Sequence, residues 1–289
     1  MTPDRSLARG RGRNGPVTAG TLVSQGAMSL VALAFLFPFF WMLTNAIRSN
    51  GEVLAVPPRL LPSEWQWGNF IDAWFYLPFG RFFLNSAMVA AAVTVIVLVV
   101  SSLAAYAFAR LRFVGRDTLF LTYLGTLMIP QAVLVIPLFL LMSRLDWVNT
   151  FQALILPVAF GSFGTFMLRQ FFKNIPRELE EAALCDGASR LRILVSIILP
   201  MSLPILGLLA LFTFTAQWNS FLWPLIIVNG TEHATIPLGL TLFQTQQGTQ
   251  WNYMMAGAAI SMLPGIVLTI LLQRYIFGGI AMNSGFGGR

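Results

Sequence analysis

Six long apolar runs divide the chain, at 22–46, 83–108, 119–142, 151–171, 204–228 and 253–277. Each holds roughly 20 residues or more, enough to cross a hydrocarbon core of about 30 Å as a helix. Lipid offers no partner to a backbone N–H or C=O, so a segment that crosses alone must be helical. Composition agrees. Apolar residues make up 56% of the 289 and charged residues only 10%, with a mean hydropathy of +0.73. A soluble domain carries about 25% charged residues. The runs therefore predict an all-α integral membrane protein with six transmembrane helices in one domain, 22–277. Pro38, Pro130, Pro137, Pro157, Pro224 and Pro264 fall inside the runs, so kinked or locally unwound helices are expected.

The net charge of +7 would suggest nucleic acid in a soluble chain. Here the cations sit between the runs, where they face anionic headgroups and set orientation, and nucleic acid is not an expected partner. Fourteen of the eighteen cations fall on one side if the chain starts in the cytoplasm. That asymmetry predicts both termini inside the cell membrane. Residues 1–21, rich in Arg, Gly and Pro, read as a disordered basic cytoplasmic tail, and 278–289 as a Gly-rich cytoplasmic tail. Two loops on the other side stand out: 48–82, rich in aromatic residues, and 229–252, rich in Gln. Aromatic residues there anchor the interface or form a docking surface.

The densest charge lies in 172–203. Residues 176–204 read PRELEEAALCDGASRLRILVSIILPMSLP. Pro176 suits the first turn of a helix, and Glu178, Glu180 and Glu181 complement its positive end. Ala182, Ala183 and Leu184 propagate it. Asp186-Gly187 stops it, with Gly187 suited to a left-handed position. Ser189 can cap a second helix, on which Leu191, Leu194 and Ile198 recur at helical spacing. The pattern predicts a helix–turn–helix step projecting from the membrane.

At these residues the chain resembles a known family. Glu181-Ala182-Ala183, Asp186-Gly187-Ala188 and Leu199-Pro200 look like the coupling loop of permease subunits of ATP-binding cassette importers, placed between the fourth and fifth spans as in that family. Residues 163–171 and the run Trp218-Asn219-Ser220-Phe221-Leu222-Trp223-Pro224 resemble the carbohydrate-uptake branch, near the smaller maltose permease subunit. Ser220 replaces that branch's usual carboxylate. The resemblance implies a type I importer permease fold and, as partners, a second homologous permease, two ATP-binding subunits and an extracytoplasmic solute-binding protein. It also implies that Glu181, Ala182, Ala183, Asp186, Gly187 and Ala188 contact the ATP-binding subunit.

No catalytic set and no metal set is read in the chain. Lys173 is the only lysine and follows no glycine-rich phosphate loop, so ATP and its magnesium are expected on a partner, with no cofactor here. The centres of the runs lack Asp, Glu, Lys and His, which disfavours an ion-coupled transporter. An uncharged path suits a sugar or related neutral polyol, though a glycerol phosphate-like solute stays open. Its expected contacts are Asn219, near the middle of the fifth run, with Trp218, Trp223, Gln217 and Gln131. The competing reading makes the amides interhelical glue and the tryptophans interfacial anchors.

Overall fold

The apolar runs fold as helices, but among the described residues only three are uninterrupted and long enough to cross a membrane. A computed structural model describes residues 19–245 and 248–285. The uninterrupted spans are α1 (Ala19–Ala46), α3 (Phe79–Arg110) and α13 (Trp251–Gly285). The short helix α2 (Asn69–Tyr76) precedes α3. The other runs fold as bent pairs: α4 (Arg116–Met128) with α5 (Gln131–Arg144) at 98°, α6 (Phe151–Val158) with α7 (Ser162–Lys173) at 43°, and α9 (Arg190–Met201) with α10 (Leu203–Trp218) at 81°. Counting each pair as one span gives six.

The bends have local causes. Ile129 and Pro130 are extended, with ψ of 115° and 132°, because a proline ring pushes the preceding residue out of the helical region. Pro204 has no N–H to return to the Pro200 carbonyl. Beside that break, the buried Ser202 hydroxyl donates to Ile198 O at 2.7 Å. Pro38 and Pro264, by contrast, sit inside continuous helices. The fifth run was expected as one helix over 204–228. It stops at Trp218 and resumes as the short α11 (Leu222–Ile227).

Helix α3 is the hub. It packs against α7 and α10, while α10 and α1 pack on α13. Phe82, Ala90, Val93 and Ala105 of α3 are fully enclosed. Gly164 lets α7 lie close to α3, since a β-carbon there would come within 2.5 Å of Ser101 Oγ. At the N-terminal end of α3, Asn85 Nδ2 donates to Glu232 O and Ala234 O, both at 2.9 Å, and Ser86 Oγ accepts from Ile236 N at 2.8 Å. These bonds seat α12 (Ile236–Thr241). Beyond it a two-residue hairpin pairs β1 (Gln244–Thr245) with β2 (Gly248–Thr249).

Many apolar side chains of α1 face outward, among them Leu30, Leu33 and Phe35, as lipid contact permits. Arg48, read from the sequence as a loop cation, is instead buried. Its guanidinium donates to Asn45 Oδ1 at 3.0 Å and Arg59 O at 2.5 Å, and lies 5.3 Å from the Trp41 ring centre. The expected tail at 1–21 lies almost wholly outside the described residues, as do Gln246, Gln247 and 286–289. Helix α13 continues to Gly285, past the boundary at 277 drawn from hydropathy.

Candidate functional site

Helix α8 (Glu178–Cys185) forms the step between α7 and α9. Glu178, Glu180 and Glu181 occupy its first turn, where carboxylates meet the unpaired N–H groups. Its end is a complete Schellman turn: Ala188 N donates to Ala183 O at 2.9 Å and Gly187 N to Leu184 O at 3.0 Å, with Gly187 at φ +79°. Ser189 then caps α9, its hydroxyl accepting from Arg192 N at 3.3 Å. Glu181, Ala182, Asp186 and Gly187 are exposed, and Ala183 and Ala188 are half-buried. The six residues expected to meet a partner thus form one connected surface. Nothing lies within 4 Å of a β-carbon built at Gly187, so its requirement for glycine is conformational.

The neighbouring Glu180 behaves in the opposite way. One residue is a turn of about 100° around a helix, and Glu180 points inward, 5% exposed. Its Oε1 lies 2.8 Å from Arg110 Nε, and its Oε2 accepts from Tyr106 Oη at 3.4 Å. Arg110 also donates through Nη2 to Phe172 O at 2.5 Å and Ile175 O at 2.6 Å. A second buried arginine, Arg169 on α7, donates to Phe108 O at 3.2 Å and packs 3.9 Å over the Phe120 ring. Sequence reading took both arginines as loop cations at the headgroups. They tie helices together, and no local pattern could reveal this because their partners lie up to seventy residues away.

On α9, Ile193, Leu194 and Ile198 are buried, as a helical stripe would have it, but Leu191 is 62% exposed. A π-turn follows over Leu194–Ile198, and Leu191, which precedes it, lies off the buried face.

The second expected site divides. Asn219 stands exposed at the C-terminal cap of α10, its amide donating to Thr215 O at 2.8 Å. The middle of the fifth run is thus a helix break, because the chain leaves helical geometry between α10 and α11. Asn219 lines a cavity of about 550 Å3 with Thr215, Trp218, Ser261, Thr269 and Met262. Trp218 is a wall of it, with its N–H donating to Ser261 O at 2.9 Å and its ring edge-on to Phe83 at 5.4 Å. Trp223 is elsewhere, buried, and donates to Ala153 O at 2.8 Å. Gln131 begins α5, exposed, and Gln217 is half-buried on α10. Neither lines the cavity. Thr215, four residues before Asn219 on the same helix face, could have been read from spacing. Ser261 and Thr269 could not, since α13 brings them. Among the described residues no group of three or more His, Cys, Asp or Glu could hold a metal.

Residues 99–281 match the family of binding-protein-dependent transport system inner membrane components. The chain belongs to this family of importer permeases. The permease is 38% identical over 256 residues to the sn-glycerol-3-phosphate transport system permease protein UgpE of Pectobacterium atrosepticum, covering 86% of this chain and 91% of the relative. It is 36% identical over 262 residues to the trehalose/maltose transport system permease protein MalG of Thermococcus litoralis, covering 88% and 93%. Its fold superposes with TM-score 0.79 and 22% identity on a chain of a bacterial ABC transporter involved in the import of the acidic polysaccharide alginate, over 88% of this chain and 95% of the other. The type I importer permease fold and the membrane setting expected from the sequence are therefore met.

Proposed function

We propose that the permease forms one half of a membrane path through which a sugar or related neutral polyol is imported by alternating access. A second homologous permease supplies the other half. Two ATP-binding subunits hold the nucleotide and its magnesium and hydrolyse it, a solute-binding protein delivers the substrate from outside, and the permease itself carries no cofactor. Both termini and α8 face the cytoplasm, in keeping with the bias of basic residues. Glu181, Ala182, Ala183, Asp186, Gly187 and Ala188 form the docking surface for one ATP-binding subunit. Closure of those subunits on ATP pulls α8 and, through it, the spans.

The observation that carries the reading is the exposed α8 surface, Glu181, Ala182, Asp186 and Gly187, presented at a well-formed Schellman turn. Substrate class is argued from the Asn219 cavity. Its lining sets hydroxyls, an amide and an indole among apolar side chains such as Leu240, Ile266 and Ile270, and holds no charged side chain. Sugar hydroxyls match such groups, whereas a phosphate would need cations. The names of the relatives, one for trehalose and maltose and one for sn-glycerol-3-phosphate, place both classes within reach, and the uncharged lining favours the first.

The test is uptake by proteoliposomes holding the permease with its partners. ATP-dependent accumulation of a neutral sugar, abolished when the binding protein is left out, is expected. Uptake of glycerol phosphate with no neutral sugar taken up would overturn the substrate class.

A further inference from the structure

The buried Arg110–Glu180 pair joins two elements that the importer reading treats separately, the docking helix and the central span. We infer that this pair makes α3 the lever of the permease, carrying movement of α8 to the wall of the Asn219 cavity. Arg110 and Glu180 would then be positioning residues for transport; neither touches substrate or nucleotide.

Three observations converge. First, the joint is a buried ion pair and is two-sided. Glu180 Oε1 meets Arg110 Nε at 2.8 Å, with the two side chains 6% and 3% exposed. The same guanidinium holds the carbonyls of Phe172 and Ile175, which end the segment leading into α8. A buried charge that loses its partner is costly, so the two ends move together or not at all. Second, α3 is suited to carry the movement. Among the described residues it is the only one of the six spans without a proline. Its 32 residues run unbroken, a rod of about 48 Å at 1.5 Å per residue. The proline-bearing bent pairs would absorb a displacement at their joints instead. Third, the far part of α3 touches the cavity. Phe83 packs edge-on against Trp218 at 5.4 Å, and Trp218 lines the cavity beside Asn219. Pulling Glu180 therefore displaces the support of Trp218, whose N–H bond to Ser261 O couples α10 to α13.

This rests on the importer reading, and the experiment separates the two. Wild type, Glu180→Gln and Arg110→Lys are assembled with their partner subunits in proteoliposomes. Complex yield, hydrolysis stimulated by the loaded binding protein, and substrate imported per ATP are measured. Glu180→Gln keeps the shape and removes the charge. It is expected to assemble and hydrolyse ATP at the basal rate, while import per ATP falls about tenfold, the size of a typical coupling between sites. Arg110→Lys keeps a cation against Glu180 but loses the fork onto two carbonyls, and is expected to lie between the two. A purely structural pair would lower yield or thermal stability and leave import per ATP unchanged in whatever complex formed, and that result overturns the inference. If Glu180→Gln does not assemble, Arg110→Lys decides on the same ratio. If neither assembles, the pair is a folding determinant and the lever is refuted. Wild type that hydrolyses ATP without any response to binding protein refutes the importer reading, and the lever falls with it.

Discussion

The α8 step and the Asn219 cavity are built in opposite ways. The step is local. Its start, its end and its next cap come from residues 176–192, and every bond that shapes the turn spans five residues or fewer. The cavity is assembled from α10, α12 and α13, with Trp218 and Ser261 meeting across 43 residues of sequence. A locally coded surface can dock a rigid partner in one orientation. A cavity shared between helices changes shape whenever those helices move, which alternating access requires. The difference teaches where to expect sharp mutational phenotypes and where graded ones.

Gly187→Asp should have the largest effect. A residue with a β-carbon held at φ +79° costs about 1 kcal/mol or more, and relief requires the turn to rearrange. With open space around it, the permease should still insert and fold. Hydrolysis stimulated by the binding protein should drop by about tenfold. Normal stimulation would show that the turn is not part of the docking surface and would erase the contrast between the regions.

Asn219→Ala comes next. Among the described residues the native amide donates only to Thr215 O, one turn back on its own helix, so its loss leaves no other described helix unpaired. Uptake should fall several-fold, about 1 kcal/mol for a neutral hydrogen bond to substrate, with complex yield unchanged. An unstable complex that transports normally would move Asn219 from the cavity's function to its construction.

Trp223→Phe sharpens the division within the second site. Removing the indole N–H leaves the Ala153 carbonyl without its donor in a buried setting, a cost of about 1–2 kcal/mol. Thermal unfolding of the detergent-solubilised complex should register this, while import per assembled complex stays at wild type. A change in substrate preference would instead bring Trp223 into the path.

The smallest effect is expected far from both regions, at Glu52. Its carboxylate accepts from the Ser63 hydroxyl at 2.8 Å and from Ser63 N at 2.9 Å. These bonds, the hydroxyl first, hold its pKa below the ordinary value of 4.5. A lowered carboxylate adds stability that is complete above pH 4.5 and is lost as the pH falls through its folded value. Glu52→Gln should flatten that acid-side loss slightly and leave transport at neutral pH untouched. An effect on transport comparable with Gly187→Asp would mean that the 48–82 loop takes part in coupling.

Amino-acid order alone determined the membrane class, the number of apolar runs and the local shape of the α8 step. Lipid leaves a crossing segment only the helix, and the Glu-rich first turn, Gly187 and Ser189 act within a few residues of themselves. Family membership was legible for the same reason, since the motif that carries it is contiguous. Tertiary structure decided the rest. Pro130, Pro137 and Pro157 mark 119–142 and 151–171 for kinks, but neither they nor hydropathy show how far each run bends, and the chain turns by 98° and 43° within them. Trp218 and Trp223 look alike in one motif, yet one lines a cavity and the other packs against α6, because each indole N–H finds its partner on a distant segment. Glu180 and Glu181 are neighbours with the same side chain. Only packing against α3 makes one a buried anchor and leaves the other at the surface, since a helix turns about 100° between consecutive residues and the core lies on one side.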